Sequence, residues 1–209
     1  MRIIVYGMTA KRGGGIEEVL MNYLRNRKKE IEYIYMVSGD HSEYSEEIEM
    51  LNGKIIYITP KEKSTLSNLK DIASVLNSYS KNDIIYFNAG ALYYGFPYVL
   101  SYIMGYRNIV VHAHNGKNCD RKFYEQLIHY INRFVINHIV RMRLSCSDYA
   151  TDWIFGRRYR KKVYKINNAV NVERYVFDKV KRDRFRKEHE LDGKFVVGNI
   201  GRFKKKKNH

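Results

Sequence analysis

Two histidines and an asparagine stand at the end of an apolar, β-branched segment, in the order His112-Ala113-His114-Asn115. Alternate side chains of an extended chain point the same way, so both imidazoles are expected on one surface. A metal site needs a third ligand, and no nearby residue supplies one at a recognisable spacing, so no metal is predicted. Hydrogen bonding to a sugar or a phosphate is the chemistry that these residue types favour. A purely structural role for the histidines is the alternative.

A glycine-rich loop follows the first apolar segment of the chain. Gly13, Gly14 and Gly15 precede a helical pattern, and glycine lets the backbone come close to a ligand. The unpaired N–H groups at the start of the helix would attract an anion. The spacing is neither the dinucleotide-binding G-x-G-x-x-G nor a P-loop with its lysine. A tight turn is the alternative interpretation.

Two cations close to the end of the chain have a spacing that suits a diphosphate. Arg202 and Lys207 form an R-x-x-x-x-K pattern directly after a predicted strand and Gly201. Guanidinium and ammonium groups are common partners of phosphate oxygens. The alternative is a solvated basic tail.

Polar residues also follow two further predicted strands. Ser147 and Asp148 stand between a strand and a helix, where capping of the helix is favoured over contact with a ligand. Asn168 belongs to a polar segment after the strand at 162–166, and this segment suits a turn toward a following domain. Neither segment indicates a function by itself.

Strands alternate with helices along most of the chain. β-branched and aromatic segments predict the strands, and apolar residues at helical spacing predict the helices. Such alternation forms right-handed crossovers, so the predicted fold is α/β, a Rossmann-like parallel sheet with helices on both faces. Ligands are expected at the carboxyl ends of the strands. Strands are predicted at 2–7, 32–37, 54–58, 83–88, 108–113, 142–146, 162–166 and 195–200, and helices from residue 16 onward and at 43–51, 65–79, 95–104, 120–140 and 148–155.

Composition limits the class of protein. The chain has 209 residues, of which 44% are apolar and only 2 are proline, as is typical of a packed globular protein. It has neither an apolar run of the roughly 20 residues that span a bilayer nor a secretion signal, so a cytoplasmic protein is predicted. Cys119 and Cys146 lie too far apart in sequence to indicate a zinc motif or a disulfide framework.

The positive charge is concentrated in the last quarter of the chain. The net charge is +16, of which residues 1–156 carry +3 and residues 157–209 carry +13. A basic segment attracts nucleic acid or an anionic membrane surface. A basic nucleic-acid-binding module, whose tyrosines would stack on bases, and a peripheral membrane module without catalysis are therefore the alternatives to an enzyme. The glycine loop and the ordered βα units argue against nucleic acid.

Taken in order, these segments resemble the glycosyltransferases of family 4, which belong to the GT-B fold group and include capsule and exopolysaccharide transferases. The resemblance extends over the whole chain. Each motif is weak alone, but their order is specific. The matching segments are GGGIEEVLMNYL at 13–24, DIIYFNAGA at 83–91, VVHAHN at 110–115, LSCSDYATDWIFG at 144–156, VYKINNAVNVERYVF at 163–177 and VVGNIGRFKKKKNH at 196–209.

The resemblance implies an enzyme with two facing Rossmann domains, one for the acceptor and one for a nucleotide-sugar. The donor would be a UDP-sugar, with no metal or other cofactor and with retention of configuration. The catalytic residues would be His114 and Asn88, and Asn88 departs from the histidine that the family often has at that strand end. The residues that bind donor or acceptor would be Gly14, Gly15, His112, Asn115, Asn168, Arg202 and Lys207.

The resemblance also divides the chain. Residues 1–172 would form the acceptor-side domain, residues 173–194 a basic connecting segment, and residues 195–209 the first strand and diphosphate loop of a nucleotide-sugar domain. That domain would need on the order of 150 further residues, so a truncated chain that binds donor poorly is expected. We hypothesise a frameshift in the codons of the lysine run 204–207.

The expected partners follow from the same resemblance. They are a nucleotide-sugar, a glycan or lipid-linked acceptor of cell-surface polysaccharide synthesis, and the anionic inner face of the cell membrane. No nucleic acid is expected.

Overall fold

The computed structural model describes residues 1–11, 14–117, 122–169 and 172–198, apart from the side chain of Arg174. The chain divides into two compact units, Met1–Ala169 and Val170–His209. The first unit contains a seven-stranded sheet, and the described part of the second contains a short 3-10 helix and one α-helix.

Seven parallel strands form the sheet: Arg2–Met8 (β1), Glu32–Ser38 (β2), Lys54–Ile58 (β3), Ile84–Ala89 (β4), Ile109–Ala113 (β5), Met142–Ser145 (β6) and Tyr164–Lys165 (β7). Their order across the sheet is β3-β2-β1-β4-β5-β6-β7. Parallel neighbours cannot be joined by a tight turn, so a crossover connects each strand to the next. The chain first builds outward from β1 to β3 and then places β4 on the other side of β1. The predicted Rossmann-like parallel sheet is confirmed.

Helices connect the strands. They are Gly15–Arg25 (α1), Ser45–Met50 (α2), Thr65–Asn77 (α3), Phe96–Ile103 (α4), Phe123–Ile139 (α5), Asp148–Ile154 (α6) and, in the second unit, Lys179–Glu188 (α7). The six helices of the first unit agree with the predicted ones to within a few residues. The capping role predicted for Ser147 is confirmed, because its Oγ accepts a hydrogen bond from the Ala150 N–H at 3.1 Å. None of the described helices is long and apolar enough to span a membrane.

Both faces of the sheet are covered by helices, as predicted. On one face Leu20 and Leu24 of α1 and Ile48 of α2 pack against Val5 and Tyr35 of the strands. On the other face α3, α4, α5 and α6 cover a larger core. That core includes Ile4, Ile34, Ile85, Phe87 and Val111 of the strands and Leu76, Tyr98, Ile136 and Trp153 of the helices. Alternate residues of each strand therefore enter different cores, as the period of a strand requires.

The structure differs from the sequence-based elements toward the end of the chain. β7 is shorter than the predicted strand at 162–166, because a 3-10 helix occupies Arg157–Lys162. The predicted connecting segment 173–194 contains α7, whose first turn is capped by Asp178. Residues 195–198, predicted as the start of a strand, have no regular secondary structure. Residues 199 and 200 lie outside the described residues.

Candidate active site at the carboxyl edge of the sheet

The candidate site lies where β1 and β4 are neighbours. The connections after these two strands run in opposite directions, and such a switch point leaves a crevice at the carboxyl edge of a parallel sheet. Asn88, near the end of β4, donates a hydrogen bond from Nδ2 to the Tyr6 carbonyl of β1 at 3.0 Å. Gly7 has a φ of +95°, and a Cβ there would lie 2.8 Å from the Asn88 carbonyl oxygen. Glycine therefore allows the two strand ends to approach this closely.

Asn88 also holds His114, which follows β5. The Nδ2 of Asn88 is used on Tyr6, so its Oδ1 faces His114 Nε2 at 3.0 Å and accepts a hydrogen bond from it. The neutral imidazole then carries its proton on Nε2, and Nδ1 is left as the acceptor of the ring. Burial lowers the pKa of His114 to about 4, with the nearby Glu17 carboxylate acting in the opposite direction. His114 is therefore neutral at neutral pH.

Glu17 is the residue of the site that sequence analysis missed. It lies in the first turn of α1 with only 4% of its surface exposed, and its Oε1 accepts hydrogen bonds from the backbone N–H and the hydroxyl of Thr9, at 3.2 and 2.7 Å. A Cβ on Gly14 would lie 1.6 Å from Oε2 of Glu17, so a side chain there would have to displace this carboxylate. No atom of the described residues lies within 4 Å of the position that a Cβ on Gly15 would take. Glu17 lies three residues after the N-cap Gly14, which is the position of the acidic residue in a capping box, and this spacing is the signal in the sequence that could have identified it.

His112 lies beneath His114. The two imidazole centroids are 4.0 Å apart, so the two rings lie together as the alternation predicted. His112 is fully buried, however, and its Nδ1 accepts a hydrogen bond from the Tyr86 hydroxyl at 2.6 Å. Its Nε2 has no hydrogen-bond partner among the described residues. Burial, with a smaller effect of His114, lowers the pKa of His112 to about 3. His112 thus supports the ring of His114 from below and is not itself at the surface.

The remaining predicted residues lie around this group or outside the described residues. Asn115 is exposed beside Gly90, where a Cβ would lie 2.9 Å from its Nδ2. Asn168 is exposed too, next to Ala169, whose carbonyl accepts from Asn22 of α1 at 3.1 Å, and no described contact joins Asn168 to His114. Arg202 and Lys207 lie outside the described residues, so their role as a diphosphate site stays a prediction. Among the described residues no three His, Cys, Asp or Glu side chains are grouped to hold a metal ion.

No family model matches the sequence, and no curated protein matches it. Solved structures do share its fold. HepE from Anabaena, in complex with UDP, has a TM-score of 0.74 at 16% identity, over 98% of this chain and 54% of that chain. A glycosyltransferase from Rickettsia africae has a TM-score of 0.59 at 14% identity, over 95% of this chain and 50% of that chain.

An epimerase shares the fold as well. UDP-GlcNAc 2-epimerase from Neisseria meningitidis, bound to UDP-GlcNAc, has a TM-score of 0.54 at 14% identity, over 95% of this chain and 56% of that chain. The chain thus spans about half the length of the structures that it matches. Identities this low show a fold and nothing further. That fold is a Rossmann-like parallel sheet with helices on both faces.

Proposed function

We propose that the chain is the acceptor-side domain of a family 4 glycosyltransferase in capsular, exopolysaccharide or other cell-surface polysaccharide synthesis. The donor is a UDP-sugar, and the acceptor is a glycan or a lipid-linked sugar. The observation that carries the proposal is the neutral His114, oriented by Asn88 and close to Glu17, at the switch point of the sheet. The complexes of HepE with UDP and of the epimerase with UDP-GlcNAc support a nucleotide-sugar as the ligand class.

In the proposed reaction His114 binds the acceptor hydroxyl. The hydroxyl donates a hydrogen bond to Nδ1, the unprotonated nitrogen of the ring. The hydroxyl oxygen bonds to the anomeric carbon on the face from which the diphosphate leaves, so that the configuration is retained. The bond from that carbon to the diphosphate breaks, UDP leaves with the electron pair, and the proton passes to His114. The imidazolium that forms is stabilised by the carboxylate of Glu17, which favours the charged ring.

Glu17 also decides which ligand the glycine loop takes. A carboxylate next to Gly14 already places a negative charge at the N-terminus of α1. A phosphate at the same point would be repelled by it, whereas a sugar hydroxyl would be accepted. Of the two roles that the resemblance implies for Gly14 and Gly15, we therefore favour contact with the acceptor. The donor diphosphate is assigned to Arg202 and Lys207.

Titration calorimetry with UDP and UDP-sugars is the first test. It would compare the 209-residue chain with a form extended through the downstream reading frame. We expect the extended form to bind UDP-sugar and to transfer sugar to a polyprenyl-linked acceptor. His114→Ala would abolish transfer, while His138→Ala, an exposed position at the end of α5, would not. Absence of UDP binding in both forms, together with salt-dependent oligonucleotide binding, would show a nucleic-acid-binding module instead.

A UDP-sugar epimerase is the second candidate, because an epimerase has the same fold at a TM-score of 0.54. Proton NMR of UDP-GlcNAc incubated with the extended form distinguishes the two. An epimerase changes the sugar without any acceptor, whereas a transferase leaves UDP-GlcNAc intact or hydrolyses it slowly until an acceptor is added.

A further inference from the structure

Tyr149 is an exposed aromatic side chain at the carboxyl edge of the sheet. It is the second residue of α6, which follows β6, and it is 67% exposed. A Cβ on Gly116 would lie 1.9 Å from both Cδ1 and Cε1 of the Tyr149 ring, so the ring contacts the glycine backbone along that side. Gly116 lies two residues after His114, a span of at most about 7 Å of chain. The ring therefore lies beside the loop that carries His114, and most of its surface faces solvent.

The start of α6 holds this ring in place. Ser147 caps the helix, and the carboxylate of Asp148 pairs with the ammonium group of Lys165 at 2.7 Å. The Cys146 thiol donates to the His114 carbonyl at 3.3 Å, which connects the turn before α6 with the candidate site. A side chain that is positioned before its ligand arrives loses little further freedom on binding, and this favours affinity.

The surroundings of the ring suit a sugar. An aromatic face carries partial negative charge and attracts the C–H bonds on one side of a pyranose ring. The hydroxyl groups of the same sugar need hydrogen-bond donors and acceptors next to that face. Asn115 precedes Gly116 and is exposed, with its amide beside Gly90, and Asp148 precedes Tyr149 with its carboxylate half-exposed. An apolar face thus lies between an amide and a carboxylate.

We propose that Tyr149 binds a sugar ring of the acceptor by stacking. The proposal rests on the proposed function, in which His114 receives the proton of the acceptor hydroxyl. Because the Tyr149 ring contacts the loop that carries His114, the sugar that stacks on it is the one whose hydroxyl reaches His114. The acceptor is then recognised through this sugar and not through a lipid alone. Its ring must have one side on which C–H bonds, and no hydroxyl groups, project.

Kinetics of the extended form measure the effect on the acceptor. The acceptors are glucose, galactose and N-acetylglucosamine, each linked to polyprenyl diphosphate, with the UDP-sugar saturating. Tyr149→Leu should raise the acceptor KM about tenfold, since both the buried area and the stacking of the ring are lost. The kcat and the KM for the UDP-sugar should change little, because the ring binds the ground state and the transition state of the acceptor alike.

Three further variants test the aromatic face and its position. Tyr149→Phe keeps the face and should behave like the wild type. Gly116→Ala should raise the acceptor KM as Tyr149→Leu does, because its Cβ displaces the ring while Tyr149 itself is kept. Tyr57→Leu, at an exposed tyrosine on the edge strand β3, is the matched control and should have no effect. Circular dichroism shows that the variants fold.

Saturation-transfer NMR gives a readout that needs no catalysis. The 209-residue chain is mixed with the methyl glycosides of the same three sugars. We expect saturation to reach the ring protons on one side of at least one glycoside. This transfer should be lost in Tyr149→Leu and kept in Tyr149→Phe and Tyr57→Leu.

The two experiments separate failure of the stacking from failure of the proposed function. If the wild type transfers sugar and Tyr149→Leu has an unchanged acceptor KM, the stacking is overturned and the proposed function stands. A loss of UDP affinity in Tyr149→Leu would assign the ring to the uracil of the donor and overturn the stacking as well. If the extended form transfers no sugar, the proposed function fails and the NMR result decides. Saturation that depends on Tyr149 then supports a sugar site, whereas its absence in the wild type, or its persistence in Tyr149→Leu, overturns that site.

Discussion

The Nε2 atom of His114 donates a hydrogen bond to Oδ1 of Asn88 over 3.0 Å. The amide of Asn88 is oriented by its other hydrogen bond, from Nδ2 to the Tyr6 carbonyl. These two hydrogen bonds therefore connect β1, through Asn88 of β4, with the residue that follows β5. Their effect is chemical as well as structural, because they decide which nitrogen of His114 carries the proton.

Asn88→Asp is predicted to change the titration of His114. A carboxylate at this position accepts from Nε2 and adds a negative charge, so the pKa of His114 should rise from about 4. The free energy of unfolding should fall by about 1–3 kcal/mol, because a carboxylate at position 88 cannot donate a hydrogen bond to the buried Tyr6 carbonyl. Proton NMR titration and urea unfolding measure the two effects.

The control for this variant is Asn108→Asp. Asn108 precedes β5, at the opposite edge of the sheet, where its Nδ2 donates to the Asn82 carbonyl. It should leave the His114 signals unchanged. An Asn88→Asp protein whose His114 titrates as in the wild type would contradict the assigned hydrogen bond.

Glu17→Gln is predicted to remove the negative charge of the site while the hydrogen bonds to Thr9 are kept. The amide oxygen can still accept hydrogen bonds from Thr9, so the free energy of unfolding should change little. The pKa of His114 should fall further, because the negative charge of Glu17, which raises it, is lost. Transfer by the extended form should slow about tenfold, equivalent to about 1.4 kcal/mol at the transition state. Glu18→Gln is the matched control, since Glu18 pairs with Arg25 at 2.9 Å. Equal activity of the two variants would remove Glu17 from the mechanism.

Gly14→Ala and Gly15→Ala are predicted to have opposite effects. A Cβ on Gly14 would displace the Glu17 carboxylate and its bonds to Thr9, at a cost of about 1–3 kcal/mol for buried groups left without partners. A Cβ on Gly15 meets no atom of the described part of the chain within 4 Å, and reduced freedom of the unfolded chain should stabilise the protein by up to about 1 kcal/mol. Thermal unfolding compares the pair. Similar melting temperatures would mean that Glu17 does not need the space at Gly14.

Stability is predicted to decrease as the pH falls from about 7 to about 5. In the folded chain the pKa values are lowered to about 3 for His112 and about 4 for both His114 and His129, whereas an unperturbed histidine has 6.5. Below 6.5 the unfolded chain therefore binds protons that the folded chain does not. Each buried histidine then lowers the free energy of unfolding by up to about 1.4 kcal/mol per pH unit. Urea unfolding above pH 5, before carboxylates contribute, measures this slope, and a constant stability over that range would contradict it.

The sheet and its helices were predictable because their patterns are local. The apolar β-branched segment at 108–113 predicts β5, and the helical spacing at 65–79 predicts α3. α7 was not predicted, since Lys179–Glu188 has almost no apolar side to detect. It is held by the Asp178 cap and by surface pairs such as Lys179 with Asp183 at 2.7 Å.

The candidate site was predictable only in part. The position of His114 follows from the rule that ligands bind at the carboxyl ends of parallel strands, whereas Asn88 was expected only from the family resemblance. Their hydrogen bond depends on the register of β4 with β5, which pairs Asn88 with His112, and no local pattern contains it. The burial of Glu17 depends in the same way on the path of the loop at Thr9. Periodicity predicts a helix at 120–140, but whether Phe123 faces the core or solvent is decided by tertiary packing.

The packing of α5 on α6 also has an optical consequence. Trp153, the single tryptophan of the chain, is 4% exposed and lies parallel to the His129 ring, with centroids 3.6 Å apart and planes inclined by 7°. A charged imidazolium quenches indole fluorescence by electron transfer, while a neutral imidazole does so weakly. The emission intensity of this one indole will therefore report the protonation of His129, and its wavelength will report loss of the stack. Trp153 is therefore an intrinsic fluorophore at the contact between α5 and α6.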